Sequence, residues 1–239
     1  MTRPPLPVSV VVPVRNGAAF LAAALASVLH QDPPPAVVVV VDDGSTDESA
    51  VIAARAGASV RVLSGRFGGA AAARNAGIAA AKGGLLTFID HDDLWVAGRL
   101  ARQVEVLHRD PAVDFVLGLT QRVYDEGGAL IPLGPPGPEP SLGAVLVRRA
   151  VFERVGPLDE ARTFDEDVDW FLRAREARVP ARLDRTLVQL YRRQANNGTN
   201  DRSSDVRAFF EVLRDSIARR RSADGAVRSL SGWPPEEAP

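Results

Sequence analysis

The sequence predicts an α/β fold: a mostly parallel central sheet flanked by helices, with a smaller antiparallel portion in its second half. Two β-branched runs, Val8 to Val14 (VSVVVPV) and Ala36 to Val41 (AVVVVV), have the near-continuous apolar character of strands buried on both faces. Each gives way to a turn and then to apolar residues at helical spacing, and the alternation continues as far as Pro111. A further run, Leu85 to Ile89, leads directly into Asp90, His91, Asp92 and Asp93. It sets carboxylates at the C-terminal end of a central strand, the edge where open α/β sheets bind ligands.

In chain order, Val8 to Val14 is the first strand and Arg15-Asn16-Gly17 its turn. Phe20, Leu21, Ala24, Leu25, Val28 and Leu29 then form a helical stripe that stops before Pro33-Pro34-Pro35. The second strand, Ala36 to Val41, ends at Asp42-Asp43-Gly44, and Ser45 followed by Glu48 is a capping-box pattern for the next helix. Val60 to Leu63 is a short third strand and Gly65 to Gly69 a flexible loop. Ala70 to Ala81 is an alanine-rich helix carrying Arg74 and Asn75, ended by Gly83-Gly84. After the carboxylate-bearing strand, Val96, Leu100, Val104 and Leu107 mark a helix that stops near Pro111.

Beyond Pro111 the pattern changes. Phe115 to Leu119 and Gln121 to Tyr124 read as strands around a turn, and Pro132 to Gly143 as a Gly/Pro-rich loop without regular structure. Leu142 to Val147 is a strand and Arg149 to Val155 a short helix. Thr163 to Ala177 is a helix whose first turn carries Asp165, Glu166, Asp167 and Asp169. Leu187 to Arg192 is a last strand, and Val206, Phe210, Leu213 and Ile217 give a final helical stripe. A single domain therefore spans residues 1–221, with halves at about 8–110 and 111–221, and residues 222–239 read as a disordered tail.

The 239 residues are 46% hydrophobic, enough for one substantial core. Lys and Arg total 29 against 30 Asp and Glu, a balance that argues against bulk nucleic-acid binding. Without cysteine there are no disulfides, no thiol catalysis and no cysteine-ligated zinc. No apolar run approaches the roughly 18 residues of a transmembrane span, and MTRPPLP does not lead into a signal-peptide core. A soluble, cytoplasmic protein is expected, with Arg219-Arg220-Arg221 suited to transient contact with an anionic membrane surface.

Carboxylates as closely spaced as Asp90, Asp92 and Asp93 repel one another unless a cation lies among them, and a hard divalent cation with oxygen ligands is the usual solution. A metal there implies an anionic ligand, most simply a diphosphate. Four blocks then occur in order: VVPVRN; VVDDGSTDES; AAARNAG before FIDHDDLW; and DEDVDWFLR. The set resembles the signature of family 2 inverting glycosyltransferases with the GT-A fold, over roughly Val8 to Thr199.

The resemblance implies a single GT-A domain with a Rossmann-like sheet, binding a UDP-, GDP- or dTDP-linked sugar in its first half and an acceptor in its second. Pro13, Val14, Arg15 and Asn16, with Asp42 and Asp43, would hold base and ribose, since a carboxylate accepts hydrogen bonds from a base N–H or ribose hydroxyls. Arg74 and Asn75 would line the nucleotide pocket, the guanidinium facing a phosphate or nearby carboxylates. Asp90-His91-Asp92 matches the DxD motif. Asp92 would ligate Mn²⁺ or Mg²⁺, Asp90 would reach the ribose or, through water, the metal, and Asp93 would support them. His91, in place of a smaller residue, would point away from both neighbours.

Glu166-Asp167 matches the ED motif, with Asp167 as the base that takes the acceptor proton and Glu166 in support. Trp170 offers a platform for a sugar face or a core side chain. Arg192 and Arg193 are diphosphate candidates, while Gln194 stands where relatives carry a histidine, which bears on metal binding and on activity. The acceptor is not encoded in these motifs, although cell-envelope or polysaccharide synthesis is the setting the resemblance implies. Gln194 also invites the alternative of a weakened nucleotide-sugar-binding or scaffold protein. A nucleotidyltransferase would need a glycine-rich basic loop that PVRNGAAF lacks, and a dinucleotide oxidoreductase a G-x-G-x-x-G that is missing.

Overall fold

A computed structural model describes residues 7–193, 202–222 and 225–230, the side chains of 202–205 excepted. Strands β1 (Val8–Val14), β2 (Val37–Asp43), β3 (Val60–Gly65) and β4 (Leu85–Phe88) form a parallel half in the order β3-β2-β1-β4. The pleat sends alternate side chains to opposite faces. Val10, Val12, Val14, Val38 and Val40 pack with Leu21, Leu25 and Val28 of α1 (Ala18–Leu29), while Val11, Val39 and Val41 face α3 (Ala70–Ala80). With both faces covered, these strands have no polar face to show in the sequence. The alanine richness of α3 has a packing cause: a Cβ on Gly77 would lie 2.3 Å from a Val11 methyl.

The sheet continues from β4 through β9 (Val145–Arg148), β6 (Phe115–Glu126) and β10 (Ala181–Arg193) to β5 (Leu94–Trp95). Here β9 is antiparallel to both β4 and β6, β10 is parallel to β6, and β5 is antiparallel to β10. Two short strands, β7 (Ala129–Pro132) and β8 (Gly137–Pro138), also pair with β6. The remaining helices are α2 (Ser49–Arg55), α4 (Arg99–Arg109), α5 (Ala150–Val155), α6 (Glu166–Glu176) and α7 (Arg202–Arg220).

Several local expectations change. Phe115 to Tyr124 does not turn; β6 is one strand of 12 residues, paired with β10 from Phe115 to Tyr124 and with β9, β8 and β7 in succession. The Gly/Pro-rich segment contributes β8 and the last residue of β7, whose prolines sit where no inner ladder needs their N–H. Leu142 to Ala144 is a single 3₁₀ turn ahead of β9. Ser45 and Glu48 form no capping box: α2 starts at Ser49, whose N–H donates to Asp47 Oδ1 at 3.0 Å, and Ser45 Oγ accepts from Asn16 N–H at 2.9 Å.

Trp170 is fully buried, stacked on Phe152 with centroids 4.6 Å apart, and its indole N–H donates to the Gly156 carbonyl at 3.2 Å. It belongs to the core and offers no face to a sugar. The start of the expected tail folds back on α7, with Ser222 N–H donating to Ala226 O at 2.8 Å and Arg228 N–H to Arg220 O at 3.2 Å. Val206, Phe210 and Ile217 of α7 face solvent, whereas Val212 and Ser216 pack inward.

Candidate active site

The C-terminal ends of β1, β2 and β4 open onto a cavity of about 350 Å³. Pro13, Val14 and Arg15 enter it from β1, Asp43 from β2, and Asp90, His91 and Asp92 from the loop after β4. The start of α3 supplies Gly69, Ala70, Ala73 and Arg74. Asp43 accepts hydrogen bonds from the backbone N–H groups of Phe67, Gly68 (3.0 Å) and Gly69 (2.8 Å). Burial alone would raise its pKa, but these donors and the charge of Arg15 hold it below the ordinary carboxylate value. Asp43 therefore stays ionised and shapes the 65–69 loop as the cavity wall.

Arg74 is buried and joins the two carboxylate motifs: one guanidinium nitrogen donates to Asp90 Oδ1 and the other to Glu166 Oε1. Burial opposes its charge, yet Asp90, Glu166 and Asp167 outweigh that cost and raise its pKa further. A second cavity, of about 450 Å³, shares Arg74, Asp90, Phe164 and Tyr191 with the first. Glu166 and Asp167 line it from α6, Arg193 from β10, and Arg122 and Glu139 from its rim. The last two form a two-pronged ion pair, Nε to Oε1 at 2.8 Å and a terminal nitrogen to Oε2 at 3.2 Å.

Asp167 faces this second cavity with a pKa of about 7. Burial is the main cause and the neighbouring Glu166 charge adds to it, against the pull of Arg74 and of the Val168 N–H at 2.8 Å. Asp169 is different. It is buried and bound by Arg173 at 2.8 Å and Arg219 at 3.1 Å, so it anchors α6.

Burial and Asp90 likewise raise the Asp92 pKa, against the opposing influence of His91. The His91 ring does not turn away from the site. It lines the first cavity and rests on Gly17, where a Cβ would come within 2.2 Å of the ring. Asp93 is buried, accepts from Gln189 Nε2 at 2.6 Å and Arg192 N–H at 2.9 Å, and ties the 90–93 loop to β10. Its pKa is pushed well up by burial and by Asp90 and Asp92.

Not every expected residue reaches the cavities. Asn16 Oδ1 accepts from Thr46 N–H at 2.8 Å and Asp42 Oδ1 from Ser45 N–H at 3.0 Å, so both brace the loops around the site. Asn75 exchanges hydrogen bonds with the Leu158 backbone at 2.9 and 3.0 Å and holds the segment leading to Thr163. Arg192 is buried, paired with Asp125 at 3.3 Å, and lies over the Phe20 ring at 5.1 Å, and its charge also pulls the Asp92 pKa down. Gln194 lies outside the described residues. Phe164 belongs to no sequence motif, and its place in both cavities comes from tertiary packing alone.

Among the described residues no three His, Asp or Glu side chains cluster to hold a metal by themselves. Asp92, lining the cavity with a pKa raised by burial and by the Asp90 charge, fits a cation that takes one or two carboxylates and completes its shell from a diphosphate and water.

A parallel half with carboxylates at its strand ends, joined to an antiparallel half that presents a second carboxylate pair, is the architecture of GT-A glycosyltransferases. The chain belongs to glycosyl transferase family 2, whose model matches residues 9–153. Its fold is shared with S. aureus TarS 1–349 in complex with UDP-GlcNAc, at a TM-score of 0.72 and 20% identity over 91% of this chain and 67% of that one. The TarS complex with UDP gives 0.70 and 22% over 91% and 66%. The chain is 27% identical over 182 residues to an uncharacterized glycosyltransferase of Rickettsia prowazekii, covering 69% of this chain and 57% of that protein. A Rickettsia felis counterpart is 28% identical over 212 residues, covering 80% and 35%. The chain thus spans little more than half the length of the first of these relatives and about a third of the second.

Proposed function

We propose that this chain transfers a sugar from a nucleoside-diphosphate sugar to an acceptor hydroxyl with inversion at the anomeric carbon. The observation that carries the reading is the shared wall: Arg74 and Asp90 border both cavities, and Asp167, with a pKa of about 7, stands on the far side. The cavity at the ends of β1, β2 and β4 takes the nucleotide, and the one beside α6 takes the acceptor. A uridine nucleotide is the favoured donor, because TarS, which shares the fold, was crystallised with UDP and with UDP-GlcNAc.

The acceptor oxygen forms its bond to the anomeric carbon on the face opposite the diphosphate, the carbon–oxygen bond to the diphosphate breaks, and the hydroxyl proton passes to an Asp167 oxygen. Arg74 keeps Glu166 and Asp90 apart from that proton by holding both as its counter-ions. Asp92 would hold Mn²⁺ or Mg²⁺, which when bound acts as a Lewis acid on the departing diphosphate.

The test is thermal stabilisation of the purified chain by UDP, GDP, dTDP and CDP, each with and without Mn²⁺, on wild type and Asp92→Ala. A ligand at about a hundred times its Kd contributes roughly 2.7 kcal/mol. Stabilisation by one nucleotide that needs metal and is lost in Asp92→Ala supports the reading. No stabilisation under any condition overturns it and leaves a scaffold protein.

A further inference from the structure

We propose that the outer face of α7 docks on an anionic bilayer surface. Val206, Phe209, Phe210 and Ile217 are exposed there, Phe210 by 64%. At about 100° per residue, Val206, Phe210 and Ile217 fall within an arc of roughly 40°. Arg214 and Arg207 follow on one side of this stripe and Arg220 on the other, with Arg221 just past the helix end. The side chains of Arg207 and Arg214 are 84% and 73% exposed.

The acidic groups of the helix lie beyond this rim. Glu211 is paired with Arg207 at 3.2 Å, and Asp215 is held by Arg162 at 2.7 Å on the inward side and pairs with Arg214 at 3.3 Å. An apolar stripe bordered by arginines is the pattern of a helix that lies in a membrane interface, with the stripe among acyl chains and the guanidinium groups at anionic headgroups. The charge pattern selects this occupant over a second copy of the chain, since a two-fold contact through the stripe would bring arginine rims together.

The inward face of α7 gives the docking a consequence. Arg162, Phe164, Asp215 and Glu211 enclose a cleft between α7 and the segment ahead of α6, and Phe164 also lines both active-site cavities. A membrane-bound α7 therefore holds the acceptor side next to the lipid surface. The docking itself stands apart from the glycosyltransferase reading, because no donor enters it.

The experiment is co-sedimentation of the chain with vesicles of phosphatidylcholine alone or with about 30% phosphatidylglycerol, at roughly 0.1 and 0.5 M salt. Binding to the anionic vesicles is expected to be at least about tenfold tighter than to neutral ones, and weaker at high salt. The double variant Phe209→Ser/Phe210→Ser is expected to lose at least about tenfold, and Arg214→Gln/Arg221→Gln several-fold. All four positions are exposed, so both variants should keep the wild-type melting temperature and nucleotide stabilisation. Absence of binding to anionic vesicles overturns the proposal, as does binding that survives both variants. A dimer in solution that Phe209→Ser/Phe210→Ser dissociates also overturns it, by assigning the stripe to a second copy. Nucleotide stabilisation read on the same samples reports on the glycosyltransferase reading separately.

Discussion

Replacing Asp167 with asparagine removes a carboxyl that the fold keeps protonated far above its ordinary range. Asp167 titrates at about 7 in the fold, against an ordinary value of 3.8. Below 3.8 it is protonated in both states and costs nothing. As the pH rises, the unfolded chain releases the proton first, so folding stability falls by about 1.4 kcal/mol per pH unit until the folded group ionises as well. Between pH 5 and pH 8 the loss comes to roughly 2–3 kcal/mol, and an amide at this position does not incur it. The stability gap between Asp167→Asn and wild type should therefore widen by that amount over this interval, whatever its value at pH 5. Urea unfolding at the two pH values measures it directly, and in a chain of this size it equals roughly 5–10 °C in Tm. A gap that stays constant with pH would mean that Asp167 ionises normally, and the argument that burial poises it as a base would fail. The same titration should appear in the rate: kcat/KM rises about tenfold per pH unit below 7 and levels off above it.

Other perturbations test other parts of the structure. Trp170→Ala should cost about 3–5 kcal/mol in urea unfolding, because the indole is fully buried against Phe152, Phe115 and Phe171; a loss below about 1 kcal/mol would contradict its place in the core. Gly17→Ala sets a methyl against the His91 ring, 2.2 Å away. It should weaken nucleotide binding about tenfold or more while costing roughly 1–3 kcal/mol of stability, and unchanged affinity by calorimetry would show that His91 does not shape the cavity.

The runs Val8 to Val14 and Leu85 to Ile89, and the carboxylates that follow the second, could be read from the sequence because the signal is local. A strand buried on both faces must be apolar throughout, and its end must carry whatever the sheet presents to a ligand. Arg74 was read as facing a phosphate or nearby carboxylates, but that it bridges Asp90 and Glu166 was not readable, since it depends on α3 lying close enough to β1 to demand Gly77. Arg192 shows the same limit from the other side: its contacts with Asp125 and Phe20 could not be read locally, because only β6 and α1 bring those partners near. Likewise, β6 looked like two strands because a turn is judged locally, whereas pairing with β10 and β8 carries it through Leu119 and Thr120.

In α7 the expected helical stripe forms, with Leu213 half-buried and Val206, Phe210 and Ile217 exposed. Apolar residues at helical spacing normally mark the buried face, but here the contact side is largely polar. Ser216 Oγ donates to Glu176 at 2.6 Å, Arg219 Nε to Glu176 at 2.8 Å, and Asp215 accepts from Arg162 at 2.7 Å. Val212 is the one large apolar side chain buried from this helix among the described residues. A helix anchored through ion pairs is free to present Val206, Phe210 and Ile217 outward, and such a stripe on a surface helix marks an interaction site more often than chance exposure. The sequence shows only the helical spacing of these residues; that Val206, Phe210 and Ile217 face outward follows from the ion pairs that hold the other side of the helix.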